Sequence, residues 1–170
     1  MFTCSTRGGT LAQFDYTYDD ASRLASASDG VNNATYTYLT NSSQAAQIDF
    51  RENSTLRMST FKQYDGLGRL TGIVSSNGAV GVITSHGYRY NSANQRTNAT
   101  LADGSNWVYQ YDTLGQVTSG RKYWADGAPV LGQQFDYTFD DIGNRKTAVT
   151  GGDRWGVNKR YQNYSANLFN

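Results

Sequence analysis

Aromatic and polar residues alternate along short runs of the chain. Phe14, Tyr16 and Tyr18 stand two apart, as do Tyr36 and Tyr38, Tyr88 and Tyr90, Trp107, Tyr109 and Tyr111, and Phe135, Tyr137 and Phe139. A period of two sends every second side chain to the same side of an extended backbone, so each run predicts a strand with one ring-bearing face. Lys62 interrupts the pattern in the run that ends in Gln63-Tyr64-Asp65. Apolar residues never recur at the three- and four-residue spacing that a helical repeat needs. Neighbouring strands of this kind would form aromatic ladders, each cross-strand pair contributing about 0.2 to 1 kcal/mol over an alanine pair.

The polar punctuation between the runs repeats as well. Asp19, Asp65, Asn91, Asp112 and Asp140 each follow an aromatic pair or its remnant, and Leu39 holds the same place in a degenerate copy. The intervals between them are in the twenties, which is the mark of a repeat architecture. Asp or Asn at the first turn position accepts a backbone N–H two residues on. Gly68, Gly115 and Gly143 at the fourth position, with Asn94 in the fourth copy, permit positive φ there. Ser22 fits that position less well, which predicts an altered first turn.

A second reversal follows each of these turns, at Ser28-Asp29-Gly30, Ser76-Asn77-Gly78, Ala102-Asp103-Gly104, Ala125-Asp126-Gly127 and Thr150-Gly151-Gly152-Asp153, with a weaker one near Glu52-Asn53-Ser54. Asp-Gly and Asn-Gly predict two-residue hairpin turns in which both central residues take positive φ. Reversals at both ends of every strand predict an all-β antiparallel hairpin array. The whole chain, 1–170, reads as about six units with a truncated seventh beginning near Arg160-Tyr161, and no separate second domain. Its first and last strands, Phe14 to Tyr18 and the one near Tyr161, are expected to be open edges, inviting self-association.

Composition narrows the functional classes. Fifteen Lys and Arg against 14 Asp and Glu leave no electrostatic case for nucleic acid. Cys4 is the single cysteine, which excludes an internal disulfide and a multi-cysteine zinc site. No apolar stretch is long enough to predict a membrane-spanning helix, and the N-terminal residues lack the apolar core of a signal peptide.

The strings YTYDDASRLAS, QYDGLGRLTG, YQYDTLGQVTS and YTFDDIGNRKT closely resemble the YD repeat of the Rhs family. That family includes bacterial polymorphic toxins, the C subunits of insecticidal toxin complexes, and the teneurins. The resemblance implies hairpins that spiral into a hollow shell around a toxin domain, or that serve as an extracellular adhesion scaffold. It implies a secreted or cell-surface location, with the remainder of a larger protein or an enclosed toxin as partner. The family's end-of-shell proline motif has no match, since Pro129, the sole proline, lies in APVLG.

Candidate chemistry is sparse. Asp19-Asp20 and Asp140-Asp141 are adjacent pairs that fall on turns, not paired catalytic carboxylates across a cleft. His86 follows Ser85, but no nucleophile motif surrounds them. Calcium-loop, P-loop and dinucleotide fingerprints are missing, so no metal or cofactor is expected. The sequence therefore predicts a non-enzymatic structural segment. The alternative is a carbohydrate-binding module, with Trp107, Trp124 and Trp155 as residues that could stack on surface glycans.

Overall fold

The structure is a computed structural model that describes residues 2–6, 9–78 and 81–165. Every regular element in it is a strand. In chain order they are β1 (Phe2–Thr6), β2 (Gly9–Tyr18), β3 (Leu24–Ser28), β4 (Asn32–Tyr38), β5 (Ala45–Glu52), β6 (Thr55–Tyr64), β7 (Leu70–Ser76), β8 (Val82–Tyr90), β9 (Arg96–Leu101), β10 (Asn106–Tyr111), β11 (Val117–Tyr123), β12 (Pro129–Phe139), β13 (Arg145–Gly151) and β14 (Lys159–Asn163). The chain divides into two units, Met1–Ser85 and His86–Asn170. Within the first, β1 to β7 pair antiparallel in sequence order. Within the second, β8 to β14 do the same, β8 pairing with β9 from His86 onward.

The strand at Phe14 to Tyr18 is not the outermost one. β1 pairs with β2 from Thr6↔Gly9 to Phe2↔Phe14, leaving only the Asp15–Tyr18 end of β2 without a partner on that side. Sequence periodicity does not reveal β1, because Phe2–Thr6 carries no aromatic alternation.

The Asp-Gly and Asn-Gly reversals are not the predicted two-residue turns with two positive φ angles. Positive φ falls on Gly30, Gly78, Gly104 and Gly127 but not on the preceding Asp29, Asn77, Asp103 or Asp126. At Leu101–Ser105 and Trp124–Ala128 the chain uses a five-residue reversal. Gly104 N–H donates to the Leu101 carbonyl and Leu101 N–H to the Ser105 carbonyl, at 3.0 and 2.8 Å. The aspartate at the third position then holds the N–H of the fifth, from Ser105 or Ala128, each at 2.9 Å. This wider loop is a type I turn closed by a left-handed glycine, which needs one positive φ instead of two. Paired positive φ occurs instead at Asn53 and Ser54, the reversal that looked weakest. The last reversal lies at Asp153–Val157, just beyond the predicted Thr150–Asp153.

Each hairpin that opens on the tyrosine-aspartate turn also carries a bulge at the same place. Tyr111 pairs with Val117 but Gln110 with Ser119, leaving Thr118 as an extra residue. Ala25, Ala46, Thr71, Thr97 and Lys146 are the extra residues of the other five hairpins. An inserted residue moves the strand's facing by one position. That is why the strands leaving the turn alternate poorly in sequence while those entering it alternate well.

Burial is thin. Among the described residues only Ala99 and Ala148 are fully buried apolar side chains, while Ser59, Ser75, Ser105, Ser119 and Gln134 are buried polar ones. One face carries the rings. The opposite face carries hydroxyls and ion pairs, as in the Thr17–Ser26 contact of 2.6 Å and the Asp49 carboxylate, which accepts from Gln47, Ser59 and Arg51.

Candidate functional site

The tyrosine-aspartate turns share one geometry, set by the first side chain. In Asp65–Arg69 the Asp65 N–H donates to the Arg69 carbonyl at 3.0 Å and Gly68 N–H returns to the Asp65 carbonyl at 2.9 Å. Asp65 Oδ1 accepts the N–H groups of Leu67 and Arg69, and Oδ2 accepts Arg69 Nε at 2.6 Å. Asp19, Asp112 and Asp140 accept the same two backbone N–H groups, and Asn91 does so through Oδ1. Ser22 does not alter its turn: it takes φ of 60° and its N–H donates to the Asp19 carbonyl as glycine does elsewhere. The turn's hydrogen bonds outweigh the modest cost of a left-handed non-glycine residue. Asn94 holds the same conformation, at φ 60°.

The carboxylates are tuned by this wiring. The backbone N–H of Arg69, aided by its guanidinium, holds the Asp65 carboxyl below the usual carboxylate range, and Arg23 does the same for Asp19. On the polar face, partial burial works to raise the Asp136 carboxyl. Hydrogen bonds from Lys159 and Arg121 outweigh it, so Asp136 also lies low. Lys159 Nζ reaches Asp136 at 2.6 Å across β13, where its cross-strand neighbour is Gly151.

Two kinds of side-chain link join successive hairpins at several junctions, and sequence reasoning missed both. Backbone pairing between successive hairpins stops short of the bulge: β3 and β4 pair only from Ser26↔Thr35 onward. The carbonyl left facing outward there accepts a phenol instead. Tyr38, Tyr64 and Tyr111 donate to the carbonyls of Leu24, Ala45 and Arg96 at 2.8, 3.0 and 2.7 Å. The second link runs over the turns. Gln44 Nε2 donates to the Gly68 carbonyl of the following turn at 2.7 Å, and Arg23 Nη1 to the Ser42 carbonyl. A Cβ on Gly68, Gly115 or Gly143 would lie 3.0, 3.2 and 3.2 Å from the amide nitrogen of Gln44, Gln95 or Gln116. The fourth-position glycine thus serves the turn's φ and the passage of the preceding unit's side chain. A glutamine or arginine as the last residue of the turn, as at Arg23, Gln44, Gln95 and Gln116, is the legible signal.

The aromatic face is continuous in parts only. In the second unit Trp107 stacks on Tyr109 at 6.3 Å and on Phe135 at 6.1 Å, while Tyr109 lies over Gly120. His86 stacks on Tyr88 at 6.3 Å, so it extends the ring stripe and is not poised beside a nucleophile. Guanidinium groups cover other rings, Arg23 over Tyr38 at 4.4 Å and Arg145 over Tyr137 at 4.8 Å. In the first unit a cavity of about 540 Å³ opens instead, with Phe14, Ala27, Ala34 and Phe50 among its lining.

The three tryptophans therefore differ. Trp107 is half-buried in the ring stack, while Trp124 and Trp155 are exposed on the reversals at Trp124–Ala128 and Asp153–Val157. Arg154 covers one face of Trp155 at 3.9 Å. Leu67, Leu114 and Ile142, at the third turn position, are among the most exposed apolar side chains. Asp19 and Asp140 spend their carboxylates on the turns. The Cys4 side chain lies outside the described residues. Among the described residues, no group of three His, Cys, Asp or Glu stands close enough to hold a metal ion.

Residues 90–129 match the family model for the RHS repeat. No curated protein matches the sequence. Among solved structures, the crystal structure of TcdB2-TccC3-TEV is similar with a TM-score of 0.61 at 14% identity, over 95% of this chain and 11% of that one. TcdB2-TccC3-Cdc42 gives 0.59 at 12% identity, over 94% and 11%, and TcdB2-TccC3 without its hypervariable C-terminal region gives 0.56 at 13%, over 91% and 10%. This chain thus spans about a tenth of the length of the chains it resembles. With a turn and a bulge that recur from hairpin to hairpin, the chain carries an RHS repeat at residues 90–129, and its fold is similar to that of a segment of TcdB2-TccC3.

Proposed function

We propose that the chain is a non-enzymatic wall segment of an RHS-type β-shell, which encloses or presents a toxin or adhesion domain on a secreted or cell-surface protein. The observation that carries this reading is the serial linkage: a hairpin supplies the carbonyl that the next hairpin's tyrosine binds, and its turn side chain donates to a carbonyl of the next turn. Such a sheet extends by adding copies and gives each one the same neighbour contacts. The exposed Leu67, Leu114 and Ile142 tips support it, since apolar turn tips suit an edge that packs against more protein. The outward side of β14 offers a strand edge for continuation or for pairing with a second copy.

The test is electron microscopy and protease protection of the protein expressed from its native gene. A hollow particle that shields an internal segment from protease is expected. A solid particle, or one that shields nothing, contradicts the reading.

Exposed Trp124 and Trp155 favour a second reading, a carbohydrate-binding surface. Saturable quenching of tryptophan fluorescence by oligosaccharides, lost on Trp124→Ala, would establish it, and a flat titration would remove it.

A further inference from the structure

The cavity in the first unit has an internal counterpart that indicates what it accepts. One cross-strand row runs Tyr16↔Ala27↔Ala34↔Phe50 over β2 to β5. Its two central positions are alanines, which form a low floor, and the rings that line the cavity beside them are Phe50 on β5 and Phe14, two residues before Tyr16, on β2. With neighbouring strands about 4.8 Å apart, the ring-bearing backbones lie about 14 Å apart. The row Tyr109↔Gly120↔Phe135 in the second unit is narrower, with one small residue between two rings. There the space is taken: the Tyr109 ring lies 3.5 Å from where a Cβ on Gly120 would stand, and Trp107 stacks against both Tyr109 and Phe135. In the first unit no tryptophan fills it, Phe14 is 42% exposed, and the cavity measures about 540 Å³. Small-molecule sites span roughly 300 to 1,000 Å³.

The rim is charged. Asp29, Glu52 and Arg57 line it, and Glu52 is paired with Arg57 at 2.8 Å. The guanidinium of Arg51, which also lines the cavity, is turned to Asp49 and Thr35. Among the described residues Asp29 has no cation partner. Its Oδ1 accepts the Val31 and Asn32 N–H groups and its Oδ2 accepts Asn32 Nδ2, which leaves acceptor capacity on the carboxylate. The lining holds two acids and two arginines, but with both arginines engaged Asp29 is the charge left without an opposite partner, and it and the aromatic wall both attract a cation.

We propose that this cavity is a binding site for a small organic cation built on a flat aromatic ring: the ring takes the place that Trp107 fills in the second unit, and the ammonium faces Asp29. This site is independent of the wall role.

The test is isothermal titration of the full chain with tryptamine, with indole-3-propionate as the anionic analogue, with neutral 3-methylindole, and with n-pentylamine as the cation without a ring. Saturable one-to-one binding of tryptamine is expected, with weaker binding of indole-3-propionate and none of n-pentylamine. Ala27→Trp fills the space and should abolish tryptamine binding while circular dichroism shows the strands retained. Asp29→Asn keeps the turn's acceptor and should weaken tryptamine about two- to fivefold, leaving 3-methylindole unchanged. Where Ala27→Trp does not fold, Asp29→Asn decides. The proposal is overturned by a linear titration with tryptamine, by unchanged binding in a folded Ala27→Trp protein, or by indole-3-propionate binding as well as tryptamine.

Discussion

The turn at Asp112–Gln116 and the loop at Leu39–Gln44 occupy the same place in their hairpins and are built differently. Asp112 closes five residues by holding the N–H groups of Leu114 and Gln116 on one oxygen. Leu39 has no acceptor, and its loop runs one residue longer: Leu39 N–H donates to the Gln44 carbonyl, Asn41 takes φ of 54°, and the Ser42 hydroxyl accepts the Gln44 N–H at 3.0 Å. Yet both hairpins carry the bulge, and both receive the phenol link, Tyr38 to Leu24 and Tyr111 to Arg96. The carboxylate sets the length of the turn, while the array is propagated by other groups. A unit can lose its aspartate and keep its place in the sheet.

The largest difference between the two turns should come from their backbones. Gly115→Val places a β-branched residue at φ of 84° with Gln95 Nε2 3.2 Å from the new Cβ. A loss of about 1 to 3 kcal/mol in denaturant unfolding is expected. Ser43→Val, on the exposed side of the longer loop, should stay within about 0.5 kcal/mol of the parent. Equal losses would show that the fourth-position glycine has no special conformation.

Where the two hairpins agree, their responses should agree as well. Tyr111→Phe and Tyr38→Phe each remove one phenol from a carbonyl and should each cost about 0.5 to 1.5 kcal/mol, by the same denaturation measurement. A cost for one alone would mean that the link does not recur.

The smallest effect separates the turns by pH. Asp65 is held below its ordinary value of 3.8, so its folded value lies under its unfolded one. Its contribution is full above that ordinary value and is lost as pH falls through the folded one. Amide shifts of Leu67 and Arg69, followed by NMR, should titrate with a midpoint below 3.8, whereas those of Ser42 and Gln44, which meet Asp19 and Asp65 only through the Arg23 and Gln44 side-chain links, should move less in that step. Equal changes would show that the longer loop depends on a carboxylate as directly as the turn does.

The strands, their antiparallel order and the first set of turns are legible in the sequence because period two and the Asp-x-x-Gly spacing are local properties of the chain. The bulge at Thr118 and its equivalents is not, since nothing in a side-chain pattern marks an extra residue that only the partner strand reveals. The Asp-Gly dipeptides mislead for a related reason. Asp103 and Gly104 suit a two-residue turn, but Leu101 and Ser105 pair around a wider one, and strand register decides between them. The tyrosines are visible as rings in sequence. Their hydroxyls matter only once the bulge frees a carbonyl for them, a contact between units that no single repeat contains. The cavity is hidden similarly, because Ala27 and Ala34 become one floor only when β3 and β4 lie side by side.

The central claim is that stability is carried hairpin by hairpin through links to the next. Guanidinium unfolding of the full chain, set beside a chain ending at Gly127, which lacks the whole β12–β13 hairpin and β14, tests it most directly. The account predicts that the shorter chain stays folded, with a lower midpoint and a smaller denaturant dependence in proportion to the surface removed. Complete unfolding of the shorter chain, or an unchanged midpoint, would contradict it.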